Sequence, residues 1–141
     1  MQYICEAPPY TWFRLETVAE AQTESQLMEH AVERYFRDTY EKVQQSFVPP
    51  PGGRFIEQSI GRKDYIQRTM PMYVTLRSND GTALVTGMLP PGGKAQPGFR
   101  PIIVGKANSD PYGAYGLAIA ALAKHLGLAL DRERCFPYHR G

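Results

Sequence analysis

The sequence predicts an α+β domain: a mainly antiparallel sheet of about four to six strands, with a long helix over about 24–46 and a shorter apolar helix over about 111–126 packed on it. Three observations carry this reading. Two proline–glycine runs, 49–53 and 90–93, stop regular structure, because proline lacks an N–H and fixes φ while glycine opens positive φ. Between those runs, 72–89 alternates around Asn79-Asp80-Gly81, the pattern of a hairpin. Either side of them, apolar residues recur at helical spacing.

Taken in order, Tyr3-Ile4-Cys5 reads as a short edge strand, isolated by Pro8-Pro9. Residues 11–19 alternate, with Phe13 and Leu15 on one side and Trp12, Arg14 and Glu16 on the other, as in a half-buried strand. The long helix follows, capped by Thr23 or Ser25 and stopped by Pro49. Leu27, Ala31, Tyr35 and Val43 share its stripe with Met28, Val32, Phe36 and Tyr40. Glu33–Arg37 and Asp38–Lys42 support it at i,i+4. Residues 54–60 read as a strand and Gly61-Arg62-Lys63-Asp64 as a turn. In the hairpin, Met72, Val74 and Leu76 share one face and Tyr73, Thr75 and Arg77 the other. Residues 100–104 form a buried strand with Pro101 at its start. Ser109 or Asp110 then caps the second helix, with Pro111 at its first position and Gly127 at its end. Leu128-Ala129-Leu130 suggests a short strand. Both helices are expected on one face of the sheet, and a split-βαβ order is compatible with the first half.

With 141 residues, 43 % hydrophobic and 21 % charged, the chain can bury a core as one domain, and wholesale disorder is excluded. A net charge of +2 is too mild to call for nucleic acid. The charge is uneven: five Lys/Arg against nine Asp/Glu in residues 1–60, and eleven against five in 61–141. Acidic and basic faces of that kind suit contact between copies. No stretch approaches the length of a membrane span, and Met1–Glu6 has no apolar run after a basic start. The expectation is therefore a cytoplasmic chain whose two cysteines, Cys5 and Cys135, stay reduced.

Three constellations could carry chemistry. The strand–loop–helix junction Gly105–Gly116 offers a helix N-terminus to an anion, with Lys106 for charge and Asn108, Ser109 and Tyr112 for hydrogen bonds. It matches neither phosphate-loop pattern, and Asp110 stands where the anion would sit. In the tail, Cys135 and His139 make half a zinc site at most. Arg62-Lys63-Asp64-Tyr65, Phe99-Arg100 and the tail interleave basic and aromatic residues without any recognisable nucleic-acid motif. No catalytic, metal or cofactor motif stands out. The expectation is a self-associating, non-catalytic binding or assembly module, a homo-oligomer without cofactor, metal or membrane partner. The alternative is an enzyme or sensor for a small anionic metabolite at the Gly105–Gly116 junction.

Overall fold

The computed structural model describes residues 1–49 and 51–137, without the side chain of Ile56. Five strands form one antiparallel meander in chain order: β1 (Gln2–Ala7), β2 (Tyr10–Arg14), β3 (Met72–Arg77), β4 (Ala83–Leu89) and β5 (Ile102–Val104). The register is set by pairs such as Trp12 opposite Leu76 and Thr75 opposite Thr86. Among the described residues four α-helices accompany the sheet: α1 (Val18–Met28), α2 (Val32–Ser46), α3 (Phe55–Thr69) and α4 (Tyr112–Leu126). The α+β class, the hairpin, the edge strand at the start and the apolar helix ended by Gly127 (φ 72°) follow the sequence reading. All neighbouring strands are antiparallel, so no βαβ unit forms.

The helices lie on both faces of the sheet, not one. The cause is β3, all six of whose residues are buried. Met72, Val74 and Leu76 join Trp12, Val85, Leu89 and Ile103 under Ala118, Ile119 and Leu122 of α4. Tyr73 joins Leu15, Ala21, Val32, Phe36, Ile66 and Met70 under α1–α3. A strand buried on both sides needs a layer on each. Trp12, fully buried, donates its indole N–H to the Ala118 carbonyl at 2.8 Å and so locks β2 to α4.

The single helix expected over 24–46 is two. Thr17-Val18-Ala19-Glu20 forms a capping box that starts α1 well before Thr23: Thr17 Oγ1 accepts from the Glu20 amide at 3.1 Å, and Glu20 Oε1 accepts from the Thr17 amide at 3.3 Å. Glu29 then adopts the left-handed conformation (φ 54°), and the Glu29 and His30 amides both end on the Ser25 carbonyl. Ser25 Oγ also accepts from the Glu33 amide at 2.8 Å and caps α2, whose own N-cap, Ala31, has no side chain to do so.

Residues 54–60, expected as a strand, open α3. Phe55 (82 % exposed) and Ile60 (64 % exposed) are not core residues. Burial falls instead on Ile66 and Met70, four apart, and Asp64–Arg68 closes an i,i+4 pair at 2.9 Å. Leu128–Leu130 is not a strand. The second proline–glycine run is a built feature: Gly93 (φ 70°) is buried, and a Cβ there would stand 3.2 Å from Met72 Sδ and 3.3 Å from Leu126 Cδ2. Residues 138–141 and Pro50 fall outside the described residues, and with them the expected role of His139.

Gly87 is the tightest point of the sheet, where a Cβ would stand 2.9 Å from Val74 Cγ2. Val74 is fully buried and rotamerically stiff, so it has nowhere to move. Gly87→Ala is expected to cost about 1–3 kcal/mol in urea unfolding, and the Gly87→Ala/Val74→Ala double variant is expected to lose less than the sum of the two single-variant losses.

Candidate functional site

On the α1 side the sheet carries charge into the interior. Arg77 ends β3 and is 9 % exposed; Glu24, on the face of α1 shared by Ala21 and Met28, is wholly buried. They pair through Arg77 Nη2 and Glu24 Oε1 at 2.5 Å. The rest of each group is occupied too. Arg77 Nε donates to Thr75 Oγ1 at 3.0 Å and Nη1 to the Gly81 carbonyl at 3.3 Å. Thr86 Oγ1 donates to Glu24 Oε2 at 2.5 Å. Thr75 and Thr86 are cross-strand partners, so β3 and β4 present the whole network to α1.

His30 completes the chain of bonds, with Nε2 2.9 Å from Thr86 Oγ1. The threonine has one proton and gives it to Glu24, so His30 Nε2 carries the hydrogen and donates. Nδ1 is then the acceptor, and the Val32 amide points at it from 3.4 Å. Burial holds the imidazole pKa below its ordinary value, against an upward pull from the Glu24 carboxylate. The ring is therefore neutral, in one tautomer, with both nitrogens engaged.

Above this floor lies a cleft of about 430 Å³, walled by Val32, Tyr35, Tyr73, Met88, Ile102, Val104, Phe136 and Pro137, with His30, Thr86 and Asn108 as its polar points. That is the size of a small-molecule site. The Tyr73 phenol is held above its ordinary pKa by burial and shares a hydrogen bond with Thr39 at 3.2 Å. Both cysteines are buried free thiols, and burial raises their pKa above the ordinary value. Among the described residues no three His, Cys, Asp or Glu side chains come together as a metal site.

The four residues singled out at Gly105–Gly116 are placed apart. Asn108 lines the His30 cleft, because the Lys106–Asn108 turn packs beside α1. Lys106 is exposed. Ser109 closes the turn on itself: its carbonyl accepts from the Gly105 amide at 2.7 Å, and its hydroxyl fills the space a Cβ on Gly105 would need. The Tyr112 hydroxyl faces the other side of the molecule and donates to the Leu130 carbonyl at 2.9 Å. At the N-terminus of α4, Asp110 Oδ1 accepts from the Tyr112 amide at 2.9 Å while Oδ2 pairs with Arg132. The amide bond, followed by Arg132, holds the Asp110 carboxyl below its ordinary pKa, so the chain's own anion occupies the helix end.

A second surface stands out on α4. Gly113, Ala114, Leu117 and Ala120 face solvent, and Leu117 is 91 % exposed. Gly113, Ala114 and Leu117 form one side of an open groove of about 510 Å³ between α4 and the β1–β2 turn, whose other side is Pro8, Pro9 and Tyr10. Tyr10 and Tyr115 meet edge to face at 5.6 Å.

The fold and these surfaces define an antiparallel five-stranded meander between helical layers, with two apolar cores, one buried polar network and apolar recesses. No protein-family model matches the chain, and no curated protein and no solved structure matches it either. No helix among the described residues is long and apolar enough to cross a membrane.

Two tests follow from the buried network. Glu24→Ala leaves the Arg77 guanidinium uncompensated and is expected to cost about 3–5 kcal/mol in denaturant unfolding, whereas Glu24→Leu/Arg77→Met is expected to recover most of that loss. Acidification probes His30. Its folded pKa lies below the unfolded value of about 6.5, so the unfolded chain takes up the proton first and stability falls as pH drops through 6.5 towards the folded pKa. Carboxylates titrate lower, so between about pH 6.5 and 5 His30→Gln is expected to flatten this slope in thermal unfolding.

Proposed function

We propose that this chain is a non-catalytic binding and assembly module that self-associates through α4. The observation that carries this reading is Leu117: a large apolar side chain, 91 % exposed, in the middle of a stripe of small residues and on the wall of a mainly apolar groove. Knob and groove lie on one surface. Such a surface is self-complementary: under a two-fold axis the Leu117 of each copy enters the recess of the other, and the glycines and alanines let the backbones approach. The nearest charge on the stripe, Lys124, lies two turns further on, so the centre carries no like-charge penalty. The opposite charge balance of the two halves of the sequence supports contact between copies in the same sense. Two unpaired, buried thiols support a reducing, cytoplasmic setting.

The alternative, an enzyme or sensor for a small anionic metabolite at Gly105–Gly116, draws on one observation, the presence of Asn108 in the His30 cleft. It is the weaker reading. The cleft is mainly apolar, and Lys106, the charge meant for the anion, does not line it.

Leu117→Glu tests the assembly reading. Light scattering on a column is expected to give a dimer or larger species for the native chain at about 100 µM and a monomer for the variant, with the same circular dichroism spectrum and with a melting temperature that rises with protein concentration only in the native chain. A native chain that is monomeric at that concentration would overturn it.

A further inference from the structure

At the end of β2, where the chain passes under helices α2 and α3, lies a cleft of about 400 Å³. Arg14 lies within it, 9 % exposed. Its surroundings differ from those of the equally buried Arg77. Arg77 has a carboxylate, a hydroxyl and a carbonyl. Arg14 has one hydrogen bond among the described residues, from Nη2 to the Gln67 carbonyl at 2.8 Å. Glu16 pulls on it from a distance but makes no ion pair with it; Glu16 Oε2 accepts instead from Gln67 Nε2 at 3.4 Å.

A guanidinium has five N–H donors and stays charged. Withdrawn from water with one bond to a neutral carbonyl, it is an under-compensated buried charge. Two further cations, Arg62 and Lys63, line the same cleft, so three cations face one carboxylate, Glu16. One wall is apolar and aromatic, with Phe36, Tyr40, Ile66 and Met70, and Thr17, Ser59 and Gln67 add neutral polar groups to the lining. Phe36 and Tyr40 stack at 6.1 Å and give that wall a flat side.

We propose that this cleft binds a small oxyanion carried on an apolar or aromatic body, a carboxylate or a phosphate monoester, with Arg14 gripping the anion and Lys63 and Arg62 closing over it. The body lies on the Phe36–Tyr40 wall. Arginine at the bottom gives planar, two-pronged recognition, and lysine at the rim adds a mobile point charge. The site is independent of the α4 surface, so failure of either proposal leaves the other standing.

The test is calorimetry and thermal unfolding of the full chain at low salt with phenylacetate, octanoate, phenyl phosphate, inorganic phosphate and the neutral phenylacetamide. Saturable binding of at least one of the organic anions below about 10 mM is expected, with no binding of the amide. Which of phenylacetate and phenyl phosphate binds more tightly assigns the oxyanion. Lys63→Gln is expected to weaken binding about threefold, and Arg14→Lys, which keeps the charge but loses the fork, about tenfold or more. The Arg14 Nε–H resonance in a ¹⁵N spectrum is expected to move on binding. Should Arg14→Lys fail to fold, Lys63→Gln and Arg62→Gln at exposed positions still decide the matter. Binding by none of the organic anions, equal binding of phenylacetamide, affinities untouched by every foldable variant, or inorganic phosphate binding as tightly as phenyl phosphate would each overturn the proposal.

Discussion

The carboxylate of Glu24 is the interaction on which the α1 side of the molecule depends. β3 is buried on both faces, and its last residue on the α1 side is an arginine. Once the strand is covered, the Arg77 charge has to be met inside the protein. α1 meets it by carrying a glutamate on its buried face, between Ala21 and Met28, where periodicity alone calls for an apolar residue. The geometry of α1 follows from that bond. The helix has to cross β4 at the height of Thr86 and end soon after Met28, so that His30 can reach the same threonine from the other side. A satisfied network of this kind adds less net stability than an apolar core of equal volume, but removing any one member leaves a buried charge or hydroxyl without its partner.

This constraint also explains which parts of the fold the sequence disclosed. The hairpin, the edge strand, the β5 strand and the limits of α4 rest on local rules, and local rules sufficed: Asn79-Asp80-Gly81 turns, Pro111 starts, Gly127 stops. The break in the long helix does not. Glu29-His30-Ala31 contains neither glycine nor proline, and the apolar spacing runs through it unbroken. Its cause is tertiary, the descent of His30 onto Thr86 fifty-six residues away. The capping box at Thr17–Glu20 was legible by its spacing and would have placed the start of α1 correctly. The first turn of α3 was hidden differently. Phe55-Ile56-Glu57-Gln58 is too short to tell period 2 from period 3.6, and the residues that are buried, Ile66 and Met70, come later in the helix.

The candidate sites were less legible than the fold, for a related reason. Lys106, Asn108, Ser109 and Tyr112 are neighbours in sequence, but a tight turn closed by Gly105 and Ser109 sends them in different directions. The residues that do converge come from distant segments. Arg14, Phe36 and Lys63 belong to a strand and two helices, and nothing in a single sequence ties them together. Arg14 alone left a trace: a cation inside an otherwise alternating strand, on the side shared with the buried Trp12.

The two buried arginines show how one sheet separates two tasks. Arg77 is closed off by the Glu24 carboxylate of α1, the Thr75 hydroxyl of β3 and the Gly81 carbonyl of the turn, and its charge is spent on holding layers together. Arg14 lies at the opposite chain end of the paired segments, since Arg77 aligns with Thr11 and Arg14 with Val74. There the helical cover is α3, which brings cations and a carbonyl but no carboxylate to bond the guanidinium. Had the second site also been structural, the same chemistry that placed Glu24 against Arg77 would require an acid on α2 or α3 facing Arg14. Those helices place Tyr40, Arg62 and Lys63 there instead. A cation left open at the end of a strand, under other cations, is costly for folding alone, and an external anion is the ligand that offsets the cost.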